Sequence, residues 1–129
     1  MNVVDSSAWL EYFAGSDQAW YFSTAIEETA TLLVPVIVLY EVFKKISIEK
    51  DEDSALIAIA HMQQGTVIDI DEGIALFAAK LSIDKKLPMA DSMIYAITLK
   101  NNAVLYTQDK HFKNLKDIKY YSKQNENDD

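Results

Sequence analysis

Four carboxylates have surroundings that invite chemistry: Asp5, Glu41, Asp91 and Asp109. Asp5 closes a short apolar stretch, Met1–Val4, and Asp109 follows another, Ala103–Tyr106. Asp91 opens the run 90–100, and Glu41 sits among Val36, Ile37, Val38, Leu39, Tyr40, Val42 and Phe43. Three of them have ordinary explanations. Asp5 suits a helix N-cap, Asp91 the positive end of a helix dipole, and Asp109 a turn. Glu41 is harder to place, because a carboxylate in apolar surroundings is costly unless it is paired or binds a metal. Lys44 and Lys45, within one turn, offer a local ion pair. Gathered at one place, four carboxylates repel each other, and a hard divalent cation resolves the repulsion. Mg²⁺ prefers oxygen ligands and accompanies phosphates. It acidifies water and offsets charge on a phosphodiester under attack.

The rest of the composition narrows the field. The chain has 129 residues, half of them hydrophobic, which fits one domain with one core. With no cysteine, disulfides, thiolate metal sites and cysteine nucleophiles are excluded. Two histidines, His61 and His111, are too few for a zinc site of the His/Cys kind. There is no basic, apolar leader and no apolar run near ~18 residues, so a cytoplasmic location without membrane association is expected. Net charge is −8, from 20 acidic and 12 basic residues, and every basic residue is lysine. Phosphate contact must then use lysine, backbone N–H groups or a metal, never a guanidinium fork. Lys110, Lys113, Lys116, Lys119 and Lys123 crowd one stretch opposed only by Asp117. That stretch is either a solvated surface or an RNA-contacting edge.

The elements that must position the acids follow from periodicity and punctuation. Strands are expected at 1–5, 31–34, 66–70, 103–106 and 118–121. Helices are expected from Ser6 or Ser7 as cap, at 18–28, from Pro35 in its first turn to about 49, from 51–53 to 64, after Asp71 and Glu72, and at 90–100, with a short helical turn near 111–115. The apolar residues around Glu41 suggest a helix buried on most sides. Residues 124–129 read as an acidic, disordered tail beyond a domain of 1–123. Strands separated by helices predict right-handed crossovers, giving an α/β fold with a mostly parallel central sheet of four to five strands and helices on both faces. Ligands of such sheets bind at the carboxyl ends of strands, where Asp5 and Asp109 fall.

Taken together, VVDSSAWLEYF at 3–13, PVIVLYEVFKK at 35–45 and LPMADSMIYAITLKNNAVLYTQDKHF at 87–112 resemble the PIN domain, and in particular the VapC-type toxins of type II toxin–antitoxin pairs. The resemblance implies a three-layer α/β/α sandwich whose acidic cluster binds Mg²⁺ or Mn²⁺ and cleaves RNA. It assigns that cluster to Asp5, Glu41, Asp91 and Asp109, with Thr107 and Ser6 or Ser7 as supporting hydroxyls. It also implies a homodimer and an inhibiting VapB-like antitoxin. Lys110 and Lys113 are the residues expected to contact RNA. One departure stands out: a further acid often follows two positions after the fourth one, and here that place is His111.

Three rival functions share much of this pattern. They are a housekeeping RNA-processing nuclease, a PIN-like binding or regulatory module without catalysis, and a small-molecule phosphoesterase. The third lacks the usual Asp-x-Asp nucleophile motif, since Ser6 and Ser7 follow Asp5. Trp9, Tyr12, Phe13, Trp20, Tyr21 and Phe22 form an aromatic-rich region, expected either to pack the core or to line a groove for an apolar helix. His61 is expected to pack.

Overall fold

The computed structural model describes residues 1–123. Its frame is five strands: β1 (Asn2–Val4), β2 (Leu32–Pro35), β3 (Thr66–Ile68), β4 (Val104–Thr107) and β5 (Ile118–Tyr120). They lie in the order β3-β2-β1-β4-β5, and every pairing is parallel. Six helices make the crossovers: α1 (Ser6–Ala14), α2 (Trp20–Glu27), α3 (Val36–Glu49), α4 (Glu52–Met62), α5 (Glu72–Lys85) and α6 (Met89–Lys100). Successive strand residues point to opposite faces. Val3 and Val4 are both fully buried, so both faces of β1 are covered, and the fold is the expected α/β/α sandwich. Leu33, Val34 and Leu105 extend this core along β2 and β4, while Trp9, Phe22, Ile94, Ile97 and Phe112 fill it from the helices and the last turn. The tail expected at 124–129 lies outside the described residues. Among the described residues no helix is long and apolar enough to cross a membrane.

The chain order matters for function. From β1 the chain steps outward to β2 and β3, then returns to the other side of β1 for β4 and β5. The order therefore switches between β1 and β4, the place where crossovers leaving in opposite directions open a crevice at the carboxyl ends of such sheets.

Several boundaries differ from expectation for identifiable reasons. Of the caps the sequence offers for α1, Asp5 is the one used and Ser6 or Ser7 is not: its backbone is extended and its side chain accepts the Ala8 N–H. Pro35 ends β2 as the N-cap of α3, because the ladder to β3 still includes it through Ile68. β4 runs one residue further than expected, to Thr107. β3 stops at Ile68, since Asp71 caps α5. The last helical turn is a short 3₁₀ segment at Lys110–Phe112, with Asp109 as its cap.

The expectation that α3 is buried on most sides is corrected. Val38 and Val42 face the core, but Tyr40 and Ile48 are exposed, at 58% and 72%. The aromatic region divides. Trp9 and Phe22 are buried, whereas Trp20 is exposed. His61 packs edge-on against Trp9, Tyr12 and Phe13, with ring centroids 6.2, 5.6 and 5.6 Å away.

Gly65 joins α4 to β3 at a point where backbones nearly touch. A Cβ placed there would stand 2.9 Å from the Leu32 carbonyl oxygen of β2. Gly65→Ala is therefore expected to destabilise the fold by about 1–3 kcal/mol through overpacking against backbone. Urea denaturation would show this as a lower midpoint at unchanged slope.

Candidate metal centre

Asp5 leaves the carboxyl end of β1, and its backbone N–H extends the β1–β4 ladder by donating to the Tyr106 carbonyl at 3.1 Å. Its side chain is nearly inaccessible, at 2% exposure. Three donors hold it. Ser7 Oγ at 2.7 Å and the Ala8 N–H at 3.0 Å both reach Oδ1, and Thr107 Oγ1 reaches Oδ2 at 2.5 Å. Each hydroxyl also accepts a backbone N–H from the loop after β4. Ser7 Oγ accepts that of Gln108 at 3.1 Å, and Thr107 Oγ1 that of Asp109 at 2.8 Å. Two hydroxyls thus tie the loop carrying Asp109 to the buried carboxyl of Asp5. Burial nevertheless wins: it raises the Asp5 carboxyl to about 6, against the lowering effect of Thr107, Ser7 and the Ala8 N–H, with the Asp109 charge adding to the rise.

Asp91 lies in the first turn of α6, where a helix dipole favours negative charge. Its carboxyl is still raised, to about 7, first by burial and then by the charge of Asp109; the His111 ring opposes the rise. Glu41, in the second turn of α3, is raised by burial, partly relieved by the Ser6 side chain, and raised again by Asp109. Neither nearby lysine provides the local ion pair. Lys45 pairs with Glu49 at 3.0 Å, and Lys44 sits over the Tyr40 ring, 5.7 Å from its centroid. Glu41 Oε1 is buried with no hydrogen-bond partner among the described residues. Asp109 is the common neighbour, since its charge acts on Asp5, Glu41 and Asp91 alike.

The four acids expected from sequence therefore lie within electrostatic reach of one another, and Ser6 and Ser7 divide the work between Glu41 and Asp5. Lys110 opens the 3₁₀ turn and Lys113 caps its end; Lys113 Nζ lies 5.8 Å from the Tyr120 ring centroid. Sequence reasoning missed three features. His111 Nδ1 contacts both Asp109 Oδ1, at 2.8 Å, and Asp91 Oδ2, at 2.9 Å. Gln108 is buried, with neither side-chain amide atom hydrogen-bonded among the described residues. The relaying role of Thr107 and Ser7 is the third. Only Thr107 carries a signal, as a hydroxyl two residues before a carboxylate.

A parallel α/β sheet whose strand-order switch gathers carboxylates at its carboxyl edge defines the class: an α/β domain with an acidic centre. The PIN domain model matches residues 3–118, and the chain belongs to that family. No curated protein matches it in sequence. Solved structures share its fold. A toxin–antitoxin complex from Klebsiella pneumoniae superposes with a TM-score of 0.79 at 21% identity, covering 95% of this chain and all of the other. VapC20 of Mycobacterium tuberculosis, described as a toxin that cleaves the sarcin–ricin loop, gives 0.72 at 17% identity, covering 87% of this chain and 92% of the other. VapBC2 from Rickettsia felis, bound to a promoter DNA fragment, gives 0.72 at 15%, covering 94% and 97%.

The double role of Thr107 generates a test. Thr107→Val keeps the shape but removes both the donor to Asp5 and the acceptor for the Asp109 N–H. It is expected to cost about 2–3 kcal/mol, because a buried carboxyl is deprived of a partner. Thr107→Ser should recover most of that stability in the same denaturation experiment.

Proposed function

We propose that this chain is a divalent-metal-dependent endoribonuclease acting as the toxin of a VapBC-type toxin–antitoxin pair. The observation that carries the reading is the convergence of Asp5, Glu41 and Asp91 on Asp109, in a crevice that makes their charges costly. The donor set fits a hard cation. Glu41 Oε1 is buried and unpartnered among the described residues. Asp5 Oδ2 takes only one of the three hydrogen bonds to that carboxyl and keeps acceptor capacity. Ligand atoms of Asp91, Asp109 and His111 lie within 4.8 Å of one another. Oxygen-rich donors of this kind suit Mg²⁺ or Mn²⁺. The cation, when bound, supplies Lewis acidity toward a phosphoryl oxygen and makes water acidic enough to react near neutral pH.

In this reading Asp5, Asp91 and Asp109 hold the cation. Glu41, whose carboxyl is raised by burial, orients the attacking water and accepts its proton. Water adds to phosphorus in line as its proton passes to Glu41, the bond from phosphorus to the 3′-oxygen breaks, and that oxygen takes a proton from solvent water, giving a 5′-phosphate and a 3′-hydroxyl. Ser7 and Thr107 keep Asp5 in place, and Ser6 does the same for Glu41. Lys110 and Lys113 contact the backbone phosphates beside the crevice. RNA as substrate is supported by what VapC20 is described as cleaving, and an antitoxin partner by the complexes that share the fold. A homodimer and a cytoplasmic setting belong to the same reading.

The test is cleavage of a pool of labelled RNAs with Mg²⁺, with Mn²⁺ and with EDTA. Wild type is expected to cut only with a cation. Asp91→Asn should cut at least about a hundredfold more slowly, the scale on which removing a group that stabilises developing charge acts. Undiminished cutting by a folded Asp91→Asn protein, or cutting in EDTA, would contradict the proposal. In the same assay, Lys110→Ala with Lys113→Ala should weaken RNA binding and flatten its salt dependence by about 0.7 in slope for each phosphate that is no longer neutralised.

A further inference from the structure

His111 lies half exposed, yet its ring is turned onto the acids. Nδ1 stands 2.8 Å from Asp109 Oδ1 and 2.9 Å from Asp91 Oδ2. The backbone fixes this placement. The His111 N–H donates to the same Asp109 Oδ1 at 2.9 Å, and the next residue, Phe112, is fully buried and anchors the 3₁₀ turn. The imidazole is thus presented by a short turn whose cap is itself one of the acids.

The spacing is informative. Neighbouring ligands of an octahedral ion bound at about 2.1 Å stand about 3 Å apart. Both His111 contacts have that separation. An ion seated among these close contacts would meet a nitrogen between two carboxylate oxygens. We infer that His111 Nδ1 is itself a ligand of the cation, alongside Asp91 and Asp109, and that it shifts the centre's preference from Mg²⁺ toward first-row transition ions such as Mn²⁺. This rests on the cation-binding reading above and sharpens it. Mg²⁺ is hard and demands oxygen, whereas imidazole suits the first-row transition ions better. Replacing one oxygen ligand by imidazole therefore weakens Mg²⁺ binding more than Mn²⁺ binding. The competing role is a hydrogen bond from His111 to carboxylates that alone touch the ion. It predicts the same neighbourhood but no metal–nitrogen bond.

The experiment is Mn²⁺ titration of the metal-free protein followed by electron paramagnetic resonance, with pulsed detection of ¹⁴N coupling and competition by Mg²⁺. Wild type is expected to show coupling from one histidine nitrogen, and His111→Ala should lose it. In His111→Asp, which restores an oxygen donor, the preference for Mn²⁺ over Mg²⁺ should fall by about tenfold, the scale of single-residue effects on metal affinity. His111 is solvent-exposed, so both variants are expected to keep the fold, which circular dichroism checks. Mn²⁺ bound without nitrogen coupling overturns the assignment while leaving the acidic centre standing. A preference unchanged in His111→Asp overturns the selectivity. No Mn²⁺ bound by folded wild type removes the cation-binding reading and this inference with it.

Discussion

The carboxyl of Asp5, buried between the two central strands, is the constraint around which the functional edge is organised. A carboxyl in so dry a place must be hydrogen-bonded or neutral. This chain supplies the Ser7 and Thr107 hydroxyls and the Ala8 N–H. The same hydroxyls receive the N–H groups of Gln108 and Asp109. Satisfying one buried acid therefore fixes the path of the loop that delivers a second, and the 3₁₀ turn after it delivers His111. The start of α1, the end of β4 and the final turn are linked by one short hydrogen-bond chain at the strand-order switch.

The acids are arranged at the expense of stability. Burial raises Asp5 to about 6 and Asp91 to about 7, and pushes Glu41 upward as well; Asp109 adds to all three. A structure selected only for stability would not bring these groups together, since structural charges are usually paired or left in water. Perturbed carboxyls gathered at one place mark a candidate functional site. With a net charge of −8 and no arginine, the chain has little general attraction for RNA. In the proposed reading, a bound cation and the lysines after Asp109 would concentrate that attraction at the acids.

Much of this is legible in the residues. β-Branched runs between amphipathic segments point to five strands and the parallel α/β plan, and carboxylates at strand ends point to the crevice. Boundaries slip where one residue serves two purposes. Asp5 caps α1 and joins the acidic centre, and the adjacent serines are equally good cap residues, so the start of α1 is not fixed by residue type alone. Pro35 can begin a helix, but pairing with β3 keeps it at the strand end. α3 is less buried than its residues suggest, because apolar residues all round a helix resemble a core helix until a neighbour is missing on one side. His111 is least legible. It lies 20 positions from Asp91, and only the packing of α6 against β4 and the turn beyond brings the two into contact.

Carboxylate repulsion at the strand switch, and its relief by a divalent cation in the proposed reading, would both show in the stability of the fold. The most direct measurement is unfolding free energy against pH for wild type and Asp109→Asn, with and without Mn²⁺. The folded-state values of Asp5 and Asp91 lie above the ordinary 3.8. The folded chain therefore keeps protons that the unfolded chain has already released. This contribution to stability is full below 3.8 and is lost as pH rises through about 6 to about 7. Metal-free wild type is expected to lose stability across that window, and Asp109→Asn to lose less. Mn²⁺ at about 100 times its dissociation constant is expected to restore about 2.7 kcal/mol to wild type near neutral pH. Equal slopes for the two proteins, or equal stabilisation of both by Mn²⁺, would contradict these expectations.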